Sequence, residues 1–102
     1  MKKDPFVEVI MPNYNKAQYL EESINSVINQ QFANWKLIII DNFSNDNSIK
    51  IINNFITREN KIKLISLKKN KGVAFSRNLG IRLSKSEYIA FLDSDDYWSS
   101  TK

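Results

Sequence analysis

Four short apolar runs alternate along the chain with three segments of helical periodicity, and that order leaves few folds open. The first run, Val7 to Met11, is closed by Pro12. Leu20, Ile24, Val27 and Ile28 then fall at i, i+4, i+7 and i+8, one face of a helix. Asn15 reads as its N-cap, with Glu21 and Glu22 near the positive end of the helix dipole. The second run, Leu37 to Ile40, is apolar on both faces, as a parallel strand covered on two sides requires, and it stops at Asp41. Ser44 or Asp46 can cap a second helix whose apolar positions are Ile49, Ile52, Phe55 and Ile56. A third strand carries Ile62, Leu64 and Ser66 on one face and Lys63, Ile65 and Leu67 on the other. Val73 to Leu83 reads as the third helix, and Gly80 within it implies a packing reason, since glycine there costs about 1 kcal/mol against alanine. Tyr88 to Leu92 is the fourth strand, running into Asp93, Ser94, Asp95 and Asp96.

The order β-α-β-α-β-α-β predicts an α/β fold: a Rossmann-like, mostly parallel sheet with flanking helices, in one domain over residues 1–102. Ligands of such sheets bind beyond the carboxyl ends of the strands. The residues to watch are therefore Pro12 to Asn15, Asp41 to Asp46, Lys68 to Gly72 and Asp93 to Asp96. Phe6, Phe32, Phe43, Phe91 and Trp98 read as core or lid.

Composition removes most chemistries from those strand ends. The chain has no cysteine and no histidine, which excludes thiol nucleophiles, His-based triads and thiolate or imidazole metal sites. Two glycines are too few for a Gly-rich phosphate loop. What remains is carboxylate, hydroxyl, amide, Lys and Arg chemistry, with a hard cation on oxygen ligands. No apolar run approaches the roughly 20 residues of a membrane span, and the N-terminus is not a secretory leader, so a cytoplasmic protein is expected. The net charge of +4 and the lysines at 61, 63, 68, 69 and 71 read as a solvated face; attraction to anionic lipid or nucleic acid is the other reading.

The acidic cluster is the sharpest feature. Asp93 and Asp95 at a strand end can point into one crevice, and oxygen ligands alone select Mg²⁺ or Mn²⁺, which favours one or two carboxylates plus substrate phosphates. An acidic turn is the plainer reading. Asp41 can accept the N–H of a base or a ribose hydroxyl, or cap the next helix. Tyr14 can stack on a base or cover the core beside Trp35. Arg77 can reach a phosphate or pair with the acidic cluster.

Taken together, these segments resemble the N-terminal half of family 2 glycosyltransferases with the GT-A fold. Pro12-Asn13-Tyr14-Asn15 looks like the P-x-Y-N turn, and Asp41 with Ser44 and Asp46 like the D-D-x-S-x-D block. Asn70-Lys71-Gly72 with Arg77, Asn78 and Gly80 looks like N-x-G followed by A-R-N-x-G, and Tyr88 to Asp96 like the segment bearing D-x-D. The resemblance runs from Val7 to Trp98, with Asn42 at the second acidic position, Phe43 in place of the usual Gly and Ser76 in place of Ala.

The resemblance implies a donor-nucleotide site. It comprises Pro12, Tyr14, Asn15, Asp41, Asn42, Arg77 and Asp93, with Tyr14 on the base, Asp41 bonding it and Asp93 at the ribose. Asp95 would bind a Mg²⁺ or Mn²⁺ ion on the diphosphate. It implies an inverting transfer of sugar from a UDP-type donor to an acceptor hydroxyl on a saccharide or lipid-linked glycan, in bacterial surface polysaccharide synthesis. The catalytic residue is expected beyond Lys102, so the chain reads as a part truncated after the D-x-D motif and inactive alone. Its last strand is expected as a bare edge, which favours a homodimer; peripheral association with the inner face of the membrane is a further expectation, and nucleic acid is not an expected partner. A receiver-like regulatory module would bind Mg²⁺ too, but needs acidic residues after the first strand, where this chain has none.

Overall fold

The computed structural model describes residues 6–30 and 34–98. Elements follow the expected order: β1 (Val7–Asn13), α1 (Ala17–Ile28), β2 (Trp35–Asp41), α2 (Ser48–Ile56), β3 (Ile62–Ser66), α3 (Val73–Leu83) and β4 (Tyr88–Phe91). The sheet is wholly parallel in the order β3-β2-β1-β4. Strands β1 and β2 are longer than their apolar runs because the pairing continues to Asn13 opposite Asp41. Among the described residues, no helix is long and apolar enough to cross a membrane.

The strand order decides where the helices lie. Two crossovers step from β1 towards β3, and the third returns past β1 to β4, so right-handed connections place α3 on the opposite face from α1 and α2. The core divides accordingly. Val9, Met11, Leu37 and Ile39 pack with Leu20, Ile24 and Val27 of α1 and Ile52 and Phe55 of α2. Ile10, Ile38 and Ile40 face the other way, with Leu79 of α3 against them. Gly80 explains how α3 sits so near: a Cβ there would stand 2.4 Å from Cγ2 of Ile10. The strands are laid down to one side of β1 as far as β3 and then to the other side as β4, which makes the carboxyl ends of β1 and β4 a topological switch point.

Several expectations need correction. Asn15 does not cap α1, which begins at Ala17. Asp46 does so from the next loop, accepting the Ala17 N–H at 3.0 Å with one oxygen and the Ser48 N–H at 2.9 Å with the other. It thus serves the N-termini of α1 and α2 together. Glu21 and Glu22 consequently lie past the first turn of α1. Tyr14 is not beside Trp35: Trp35 pairs with Val7 at the opposite end of the sheet. Phe6, Phe43 and Phe91 are exposed rather than core, while Trp98 packs on the α1 side of the core. Phe32 lies outside the described residues.

Candidate functional site

At the carboxyl ends of β1 and β4 an open cavity of about 310 Å³ is lined by Pro12, Asn13, Tyr14, Lys16, Asn42, Val73, Arg77, Asp93, Ser94 and Asp95. Six of the eight residues expected from sequence line it: Pro12, Tyr14, Asn42, Arg77, Asp93 and Asp95. Asn15 and Asp41 do not, and their bonds show what they do instead.

Asp41 is 1% exposed. Its Oδ1 accepts hydrogen bonds from Nδ2 of Asn13 at 2.7 Å and from the Ser44 hydroxyl at 2.7 Å, and its Oδ2 accepts the Ser44 N–H at 2.9 Å. The carboxylate ending β2 therefore stands behind Asn13 and fixes that amide. With Nδ2 committed to a carboxylate, Oδ1 of Asn13 is a buried acceptor with no partner. An orphan acceptor on a cavity-lining residue costs about 1–3 kcal/mol and calls for a donor. Sequence reading placed Asn13 in the first strand-end segment but gave it no role, because its importance depends on Asp41, 28 residues away.

Asn15 ties the same two loops together. Its N–H donates to the Ser44 hydroxyl at 2.9 Å and its Oδ1 accepts the Asn45 N–H at 2.8 Å. Its positive φ of 52° lies in the region asparagine tolerates. Phe43 has φ 69°, which explains why glycine is the usual residue at this place: a bulky side chain is strained there. Asn42 uses Oδ1 to accept the Lys71 N–H at 2.8 Å, which brings the turn before α3 to the cavity rim.

The opposite wall is charged. Arg77 donates to Oδ1 of Asp93 at 3.0 Å, and Nζ of Lys16 lies 3.6 Å from Oδ2 of Asp95. All four side chains are close to half exposed, so these pairs contribute little to stability. They do show that each carboxylate stands where a cation can meet it. Among the described residues no group of three or more acidic ligands could hold a metal ion, so at this cavity the described residues offer Asp93 and Asp95. That donor set fits Mg²⁺ or Mn²⁺ carried in with phosphate oxygens rather than a closed protein cage. Tyr14, 45% exposed, presents an aromatic ring at the cavity.

The model of glycosyl transferase family 2 matches residues 8–102. Among similar sequences is the poly(ribitol-phosphate) beta-N-acetylglucosaminyltransferase TarP of Staphylococcus aureus, 44% identical over 94% of this chain and 29% of its own length. Among solved structures, S. aureus TarS 1-349 in complex with UDP-GlcNAc superposes with a TM-score of 0.86 at 28% identity, over 93% of this chain and 28% of that one. A Pyrobaculum calidifontis mannosyltransferase in complex with GDP-Man and Mn²⁺ shares the fold, with a TM-score of 0.88 at 22% identity over 96% of this chain and 30% of that one. The chain spans no more than 39% of the length of the curated relatives it matches.

Proposed function

The chain belongs to glycosyltransferase family 2, and from that premise we propose that its cavity binds the nucleoside diphosphate of a sugar donor, with UDP as the nucleotude class tested first. The observation that carries the reading is the pairing of opposite walls at the switch point: Tyr14 and Asn13 on one side, Asp93 and Asp95 with their own cations on the other. Tyr14 stacks on the base. Oδ1 of Asn13 takes a base N–H, oriented by Asp41 from behind, and Asn42 and Pro12 complete that side. Asp93 meets the ribose, and Arg77 and Lys16 meet phosphate oxygens. TarS is described with UDP-GlcNAc, which supports a UDP-type donor.

Asp95, with Asp93 beside it, would hold a Mg²⁺ or Mn²⁺ ion together with the diphosphate, and the mannosyltransferase described with Mn²⁺ supports this use. Such an ion supplies Lewis-acid stabilisation of the leaving diphosphate. The whole protein would transfer the sugar to an acceptor hydroxyl with inversion, in surface polysaccharide synthesis on the cytoplasmic side of the membrane. We assign the general base to none of the cavity residues, so the 102-residue chain binds donor without turning it over. In this chain the exposed apolar side chains of β4 and α3, among them Phe91, Ile89, Ile81 and Phe75, are proposed to be covered by a second copy; a monomer in light scattering at high concentration overturns that clause.

Calorimetry tests the reading. UDP should bind the parent more tightly with Mn²⁺ than without, and Asp95→Ala should abolish the difference. Binding that ignores the metal in both proteins rejects the assignment.

A further inference from the structure

The segment bearing the two cavity carboxylates is fastened from behind by one helix. Leu92 is buried in the α1-side core and Trp98 packs against the same cluster, so the loop between them is anchored at both ends. Between these anchors, Ser23 of α1 donates to the carbonyl of Ser94 at 2.7 Å and to the carbonyl of Asp96. Ser26, one turn on, donates to the Ser23 carbonyl at 2.7 Å and accepts the Trp98 N–H at 3.1 Å. The Asp96 N–H closes a turn on the Asp93 carbonyl at 2.9 Å. The backbone at 94, 96 and 98 therefore faces α1, while the side chains of Asp93 and Asp95 line the cavity.

Serine inside a helix commonly bonds back to its own preceding turn. Ser26 does so, but both acceptors of the Ser23 hydroxyl lie more than 70 residues away in sequence. Ser23 is 1% exposed and Ser94 2%, so the bond between them is shielded from water. The peptide groups on both sides of Asp95 are among those held, and their orientation sets the direction of its Cα–Cβ bond.

We propose that Ser23, assisted by Ser26, is the positioning residue of the cation-binding carboxylate, holding the loop so that Asp95, with Asp93 beside it, faces the diphosphate and its metal ion. This rests on the donor-site reading above. Groups that orient ligands of a metal from behind typically change its affinity by about 10–100-fold when removed.

The test compares UDP affinity with and without Mn²⁺, together with thermal melting, in the parent chain, Ser23→Ala, Ser23→Thr and Ser26→Ala. Ser23→Ala should lose about tenfold in UDP affinity with Mn²⁺ present while metal-free UDP binding stays as in the parent. Ser23→Thr keeps the hydroxyl and should restore the metal-dependent gain. Ser26→Ala, which removes the Trp98 tie and the bond to the Ser23 carbonyl, should lose part of the gain and serves if Ser23→Ala does not fold. The proposal is overturned if Ser23→Ala and Ser26→Ala keep the full metal-dependent gain. Equal weakening with and without metal, in step with a lower melting temperature, also overturns it, because the clasp is then structural alone. A parent showing no metal-dependent gain overturns the donor-site reading and this one with it; a parent with the gain that both variants retain overturns this one only.

Discussion

On the wall built from the ends of β1 and β2, Asn13 and Asp41 are buried and interlocked through Ser44. On the wall built from the loop after β4, from α3 and from the N-cap of α1, Asp93, Asp95, Arg77 and Lys16 are close to half exposed and joined by two ion pairs. The first wall is a buried polar network, complete but for Oδ1 of Asn13, so removing one member strands the others. The second can exchange its partners at little cost, because each charge is already solvated. A rigid wall suits recognition of a fixed shape such as a base. An exchangeable wall suits a diphosphate that arrives with its own cation and takes Lys16 and Arg77 from their carboxylates.

The contrast predicts that breaking the first wall harms folding and breaking the second harms ligand binding alone. Asp41→Ala should have the largest effect. It leaves the Asn13 amide and the Ser44 N–H without their acceptor and should cost about 2–4 kcal/mol, on the order of 15 °C in melting temperature for a domain of this size. UDP affinity should fall with it, while the ratio of affinities with and without Mn²⁺ survives. A melting temperature equal to the parent's would show that the network carries no weight.

Gly80→Ala comes next and joins the two walls, since α3 carries Arg77 three residues before the contact with Ile10. Overpacking of about 1–3 kcal/mol should outweigh a helix-propensity gain of up to about 1 kcal/mol. Thermal melting should show a net loss, and a stabilised variant would mean that α3 can stand off from β1 freely. Asp95→Ala should leave stability within about 0.5 kcal/mol of the parent, because the side chain is exposed and its ion pair is weak. A large drop in melting temperature would erase the distinction between the walls.

The smallest effect is the pH dependence of the loop behind the first wall, where Asp46 holds the N-termini of α1 and α2. Burial tends to raise the Asp46 carboxyl, but hydrogen bonding from Ser48 and Ala17 outweighs it and holds the group below its ordinary value. A depressed folded value means that the contribution is present in full above the unfolded value of 3.8 and fades as pH falls through the folded one. Melting curves near neutral pH and at about pH 3 should therefore differ less in Asp46→Asn than in the parent. An identical acid response in the two proteins would remove Asp46 from the account.

The sequence by itself determined the alternation of strands and helices, the extent of α3 and the polar strand ends, because each depends on dihedral preference and side-chain period within a few residues. Tyr14, Arg77, Asp93 and Asp95 could be picked out as candidates for the same reason, since each stands on or beside a strand end or helix whose place in the order is known, whereas Pro12 and Asn42, within the same strand-end segments, gained a role only through the resemblance to family 2 glycosyltransferases. Tertiary structure alone decided which polar groups meet. Asp41 turns to Asn13 across 28 residues, Ala17 finds its cap in Asp46 across 29, and Ser23 reaches Asp96 across 73. A hydrogen bond needs its partner within about 3 Å and well aligned. Which partner satisfies that condition follows from the registration of whole strands and helices, here β4 laid beside β1, and no local pattern in the chain encodes it.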